Sequence, residues 1–112
     1  MKATLMRVVS MIGLVVALCA PAVVAAPSTP ATAEVTIDNF SFSPAELKAA
    51  VGTTVKWTNR DDIPHTVVST DKVFKSKVLD SEEKYSFTFT TAGSYAYFCS
   101  IHPKMTARVI VQ

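Results

Sequence analysis

The chain has 112 residues, of which 49% are hydrophobic and 18% charged, and its formal net charge is +2 at pH 7. This length accommodates one small domain. A basic excess of two charges is too small for the several phosphate contacts that nucleic-acid binding needs, so nucleic acid is not expected as a partner. Two histidines are also too few for a metalloenzyme with separate electron-entry and catalytic centres, and we expect no enzyme.

The N-terminal segment has the features of a secretory signal. Lys2 and Arg7 form a positively charged start, and residues 8–20 follow as an uncharged apolar core. Pro21 then leads into a stretch of small residues, which is typical of the region before a cleavage site. The sequence therefore predicts a signal peptide at residues 1–26.

The cleavage site of this signal has more than one candidate. The small-residue rule favours cleavage after Ala25 or Ala26, and it also allows cleavage after Ala33. An uncleaved membrane anchor is the alternative, because no charge interrupts residues 8–33 and about 20 apolar residues can span a bilayer. With cleavage after Ala26 the exported domain spans 27–112, and we expect no stable membrane insertion of this domain.

The exported domain keeps few residues that can bind a soft metal. Its charges balance, with nine basic residues (11 minus 2) and nine acidic ones. A lone cysteine in an exported protein cannot form an internal disulfide, so its retention needs another explanation. The cysteine, the methionine and the two histidines of the domain are Cys99, Met105, His65 and His102.

Short β-like runs separated by turn residues follow one another along the domain. Alternating apolar residues such as Val55 and Trp57 place one face of each run in a core. Seven or eight strands at spacings of roughly ten residues predict an all-β, antiparallel sandwich, in which residues 46–50 form a strand in preference to a helical turn. In chain order the runs are 33–38, Phe40 and Phe42 before the Ser43-Pro44 turn, 46–51, 54–59, 65–70, 85–89, 94–99 and 107–112.

Candidate metal ligands are concentrated in one short loop. Cys99, His102 and Met105 recur at intervals of three residues between two predicted strands, so their side chains can point to one centre. His65 begins another predicted strand, and its side chain can approach the same centre from the same end of the sandwich. A thiolate, two imidazoles and a thioether suit copper in electron-transfer sites, whereas zinc rarely takes methionine. These four residues therefore predict a copper site.

The sequence resembles a known protein family in three segments. They are VTIDNFSFSPAEL, VGTTVKWTNRDDIPHTV and AGSYAYFCSIHPKM. Over residues 34–112 the sequence resembles the cupredoxins, the small blue copper proteins, and it is most similar to their amicyanin-like branch. The resemblance implies a Greek-key sandwich of eight strands that holds one type 1 copper ion. It implies His65, Cys99 and His102 as equatorial ligands and Met105 as the axial ligand.

The resemblance also implies a function, which is one-electron shuttling in the bacterial periplasm. We expect a monomer that exchanges electrons with a dehydrogenase, a cytochrome c or an oxidase. Periplasmic copper storage, delivery or tolerance is the alternative, and it would be favoured by a Met- and His-rich cluster, which the sequence lacks after residue 26.

The sequence departs from the amicyanin-like pattern at positions around the predicted site. Ile101 stands where that branch has proline, and Lys104 stands where it has an aromatic residue. Thr66 follows the first histidine, at a position where cupredoxins often have asparagine, and its hydroxyl can support the cysteine loop. We expect electrons to pass through His102, within an apolar surface formed by Ile63, Pro64, Ile101 and Pro103.

Overall fold

The structure is a computed structural model that describes residues 31–112 and the isolated positions Gly13 and Val15. The predicted signal peptide otherwise lies outside the described residues. Within the described part, no helix is long and apolar enough to cross a membrane. The eight strands are β1 Thr32–Asp38, β2 Ser41–Ser43, β3 Glu46–Ala49, β4 Thr54–Asn59, β5 Val68–Ser69, β6 Lys84–Thr88, β7 Gly93–Phe98 and β8 Thr106–Val111.

The strands form two four-stranded sheets, with the orders β2-β1-β4-β6 and β3-β8-β7-β5. The predicted all-β sandwich is confirmed, but the prediction of purely antiparallel pairing is wrong. β1 pairs with β4 in parallel, and β3 pairs with β8 in parallel. After β2 the chain crosses to the other sheet as β3 and then returns as β4, so it runs beside β1 in the same direction.

The core lies between the two sheets and is built from alternating strand residues. Val55 and Trp57 on β4 are fully buried, as their shared face predicts. The Trp57 ring packs at centroid distances of 5.5 to 5.7 Å against Tyr97, Phe74 and Tyr85. Full burial of an apolar side chain contributes about 1.5–3 kcal/mol, so this aromatic cluster holds the sheets together firmly.

The predicted strand at residues 65–70 is much shorter in the structure, where β5 contains only Val68 and Ser69. The preceding residues pair instead with a loop. The His65 amide donates to the Leu79 carbonyl at 3.1 Å, and the Leu79 amide donates back at 2.7 Å. His65 is therefore fixed by an isolated bridge to a loop.

Candidate metal centre

The loop between β7 and β8 closes on itself through backbone hydrogen bonds. The Cys99 amide donates to the Met105 carbonyl at 3.0 Å, and the Met105 amide donates to the His102 carbonyl at 2.9 Å. β7 and β8 remain paired up to Phe98 and Thr106, so the loop is anchored at both ends. The three-residue spacing seen in the sequence thus becomes a compact turn at one end of the sandwich.

Three of the four predicted ligands converge on one point. The Cys99 sulfur lies 3.8 Å from Nδ1 of His65 and 3.7 Å from Nδ1 of His102. One ligand atom from each residue lies within 4.8 Å of the others. Cys99 and His65 are fully buried, whereas His102 is half-buried at the surface of the site.

These distances fit a metal ion held in a trigonal arrangement. Nitrogen and sulfur ligands at about 2.0 and 2.3 Å from an ion, about 120° apart, lie about 3.7 Å from each other. The sulfur-to-nitrogen distances of 3.7 and 3.8 Å match this value. Met105, the fourth predicted ligand, is 6% exposed and belongs to the same loop, so its side chain is buried.

The Cys99 sulfur is surrounded by hydrogen-bond donors that favour the thiolate. The Thr66 amide and hydroxyl donate to the sulfur at 3.4 and 3.7 Å. Burial raises the pKa of the Cys99 thiol, but the bonds from the Thr66 amide, His65 and His102 outweigh it and lower this pKa from 9.0 to about 6. At neutral pH the sulfur is therefore mainly the thiolate, which is the form that binds metals.

Thr66 also ties the cysteine loop to the strand region that carries His65. Its hydroxyl oxygen accepts from the Ser100 amide at 2.8 Å and lies 2.8 Å from the Ser100 hydroxyl. This hydroxyl therefore supports the cysteine loop, as its position after His65 predicts. Because Thr66 contacts both Cys99 and Ser100, the loop cannot move away from His65 without breaking several hydrogen bonds.

Asp61 contacts a predicted ligand, although this residue was not among the candidate site residues predicted from the sequence. Its Oδ2 atom lies 2.9 Å from Nε2 of His65, on the side of the ring away from the Cys99 sulfur. The hydrogen bond with His65 is the main reason that the pKa of Asp61 lies below its usual value. A carboxylate that accepts from a metal-binding histidine orients the ring and increases its basicity. The signal available in the sequence was an acidic residue four positions before the histidine.

Asn59 organises the turn that carries Asp61 and His65. It is fully buried, and its side-chain amide donates to the carbonyls of Ile63 and Leu79, both at 2.9 Å. Its oxygen accepts from the Asp61 amide at 2.9 Å. The last residue of β4 thereby connects the sheet directly to the candidate site.

Comparison with known proteins agrees with this geometry. The family model described as a Cupredoxin-like domain matches residues 8–111. The chain belongs to the cupredoxin-like family. The predictions of a cupredoxin most similar to amicyanin and of copper as its cofactor are confirmed, because cupredoxins are copper proteins and the thiolate and imidazole donors are placed for this metal.

The relatives of this cupredoxin include several amicyanins. It is 39% identical to amicyanin of Paracoccus denitrificans over 83 residues, which are 70% of this chain and 63% of that relative's length. It is 34% identical to amicyanin-alpha of Methylorubrum extorquens over 102 residues, with 86% of each chain covered. The solved structure of a Cu(I) form of an amicyanin variant superposes with a TM-score of 0.69 at 37% identity, covering 75% of this chain and 84% of that chain.

Proposed function

We propose that this cupredoxin is a periplasmic one-electron carrier, with a single type 1 copper ion bound by His65, Cys99, His102 and Met105. The observation that carries the proposal is the convergence of the buried Cys99 sulfur and one ring nitrogen from each of His65 and His102 within 4.8 Å of one another. A bound copper ion would supply reversible exchange between Cu(II) and Cu(I). The resemblance to amicyanin supports electron transfer in preference to catalysis.

The protein's own residues prepare the site for an ion that changes charge without changing position. Cys99 and His65 are buried and are each fixed by backbone hydrogen bonds, so their donor atoms stay in place. Thr66 holds the sulfur and the loop together. A rigid ligand set lowers the structural rearrangement that accompanies each electron transfer.

Electrons would enter and leave through His102, which is the half-buried member of the ligand set. Ile101, Pro103 and Lys104 flank it and are exposed. The side chain of Ile101 is 46% exposed, and it provides an apolar contact for a partner. Lys104 adds a positive charge that favours a partner with acidic groups near its own redox centre.

The proposed location and domain organisation rest on the N-terminal sequence. Residues 1–26 would act as a signal peptide, and residues 27–112 would be the mature, monomeric domain in the periplasm. Cleavage after Ala26 leaves β1 whole, because that strand begins at Thr32. Cleavage after Ala33 would instead remove the first two residues of β1, which pair with Thr54 and Val55 of β4. A dehydrogenase, a cytochrome c or an oxidase would be the redox partner.

Spectroelectrochemical cycling of the copper-loaded protein tests the proposed function. We expect one reversible, one-electron step, with the oxidised spectrum fully recovered after repeated cycles. Reduced protein should also pass its electron to oxidised cytochrome c, used as a probe acceptor. A protein that retains Cu(I) but cannot be oxidised again without losing the metal would contradict an electron carrier and favour copper storage or delivery.

A further inference from the structure

Phe40 occupies an unusual backbone position in the turn between β1 and β2. Its φ angle is 56°, and that of the preceding Asn39 is 50°. The left-handed region is sterically unfavourable for a residue with a bulky side chain, although asparagine tolerates it. The Phe40 side chain is also 45% exposed, so burial in the core does not explain why it is held there. Another interaction must favour this conformation.

The ring of Phe40 packs edge-on against both imidazoles of the candidate site. Its centroid lies 5.6 Å from that of His65, with an interplanar angle of 87°. It lies 5.0 Å from that of His102, with an angle of 89°. T-shaped contacts of this kind are attractive. The two imidazoles are themselves 5.0 Å apart and inclined at 59°, so one phenyl ring contacts both members of the pair.

Asp61 links the turn that carries Phe40 to the ligand His65. The Phe40 amide donates to Oδ2 of Asp61 at 3.1 Å. The same oxygen lies 2.9 Å from Nε2 of His65. One carboxylate oxygen therefore anchors both the left-handed turn and the first histidine.

We propose that Phe40 is a positioning residue that fixes the ring planes of both His65 and His102 and covers their edges against water. This proposal rests on the proposed function, in which the two imidazoles bind copper. The torsion about the Cβ–Cγ bond of histidine is broad, so neighbouring groups must set the ring plane. Phe40 contacts both rings and is held in place by Asp61.

The two histidines should depend on Phe40 to different degrees. His65 is fully buried, and Asp61 also holds its Nε2 atom. His102 is half-buried, and among the described contacts its ring meets the Cys99 sulfur, the imidazole of His65 and the Phe40 ring. Loss of the phenyl ring should therefore loosen His102 more than His65.

Three variants distinguish the effect of the phenyl ring from the effect of the left-handed backbone conformation at residue 40. Phe40→Asn removes the ring but keeps a residue that tolerates positive φ. Phe40→Gly removes the ring and relieves the backbone, and it serves as the second variant if the first folds poorly. Phe40→Tyr keeps the ring and is the rescue control.

Nuclear magnetic resonance of the copper-free protein reports on the rings without depending on electron transfer. In the wild type we expect nuclear Overhauser contacts from Phe40 to both imidazoles and a single His102 rotamer. In Phe40→Asn and Phe40→Gly we expect His102 to average between rotamers while His65 remains ordered. Phe40→Tyr should behave as the wild type does.

Copper loss to a Cu(I) chelator provides the second measurement. We expect release about tenfold faster for Phe40→Asn and Phe40→Gly than for the wild type and Phe40→Tyr, from the loss of two aromatic contacts. Unchanged His102 order and unchanged release in both ring-deleted variants would overturn the proposal. If the wild type failed to bind copper, the proposed function would fail, and the resonance data alone would still decide whether Phe40 positions the rings.

Discussion

Asn59→Leu is expected to destabilise the copper-free domain by about 3 kcal/mol, because three hydrogen bonds to a buried side chain are lost at once. Leucine has the same number of side-chain heavy atoms as asparagine and the same branching at Cγ, but it can neither donate to the carbonyls of Ile63 and Leu79 nor accept from the Asp61 amide. The Leu79 carbonyl keeps the bond from the His65 amide, whereas the Asp61 amide loses its partner. For a domain of this size the loss corresponds to a fall of more than about 10 °C in Tm.

Urea denaturation of the copper-free domain measures this effect, with Gln112→Leu as the matched control. Gln112 is exposed beyond the end of β8, so replacing its amide side chain should change the free energy of unfolding by less than about 0.5 kcal/mol. The displaced turn in Asn59→Leu should also weaken the copper site, because it carries His65. Equal stability of the two variants would show that Asn59 does not organise this turn.

Asp61→Asn is expected to raise the reduction potential by about 60 mV, which is a tenfold change in the one-electron equilibrium. The pKa of Asp61 lies below its usual value because of its hydrogen bond with His65, so the carboxylate is ionised at neutral pH. His65 is a proposed copper ligand, and a negative charge beside such a ligand favours Cu(II) over Cu(I). Asparagine removes the charge and retains an oxygen that can accept from the His65 ring.

Asp62→Asn is the matched control for this prediction, since it removes the same charge from the next residue. Asp62 is exposed, so solvent screens its charge and the potential should move by only a small fraction of the Asp61 shift. The measurement is a potentiometric titration of the wild type and both variants at one pH and ionic strength. Equal shifts in the two variants would mean that Asp61 acts only through long-range charge and not through His65.

Regular strands were the most predictable part of the fold. Residues 54–59 were predicted as a strand, and β4 has the same bounds, because Val55 and Trp57 alternate with polar residues toward a single core. The parallel pairs were missed, since alternation marks which face is buried but does not say which strand lies beside it. The strand predicted at 65–70 was too long, because His65 and Val67 pair with the loop residues Leu79 and Ser76 and not with a neighbouring strand.

The loop that carries three of the proposed ligands was predictable as a turn because its residues are close together in the sequence. Cys99, His102 and Met105 lie within seven residues, and a turn between paired strands leaves them few alternative positions. His65 reaches the Cys99 loop only because the two sheets pack together. Its position could still be anticipated, because a second imidazole completes the set of donors that copper prefers. The structure brings this imidazole to 3.8 Å from the Cys99 sulfur.

The groups that contact the proposed ligands were not predictable in the same way. Phe40 and Phe42 alternate as if they shared one strand face, but only Phe42 is buried in β2, whereas Phe40 lies in a left-handed turn. Its contacts with the imidazoles arise from that backbone conformation. Asp61 acquires its role only when the turn after β4 folds back on itself. Such roles depend on loop geometry, which hydrophobic periodicity does not encode.

A visible absorption and EPR spectrum after addition of Cu(II), recorded beside Cys99→Ser, tests the central claim most directly. We expect the wild type to bind one copper ion and to show an intense charge-transfer band at the red end of the visible spectrum. The serine variant should lack this band, because it has no thiolate. A wild-type protein that stays colourless with Cu(II), or a band of equal intensity in Cys99→Ser, would contradict a thiolate-bound copper site built from these residues.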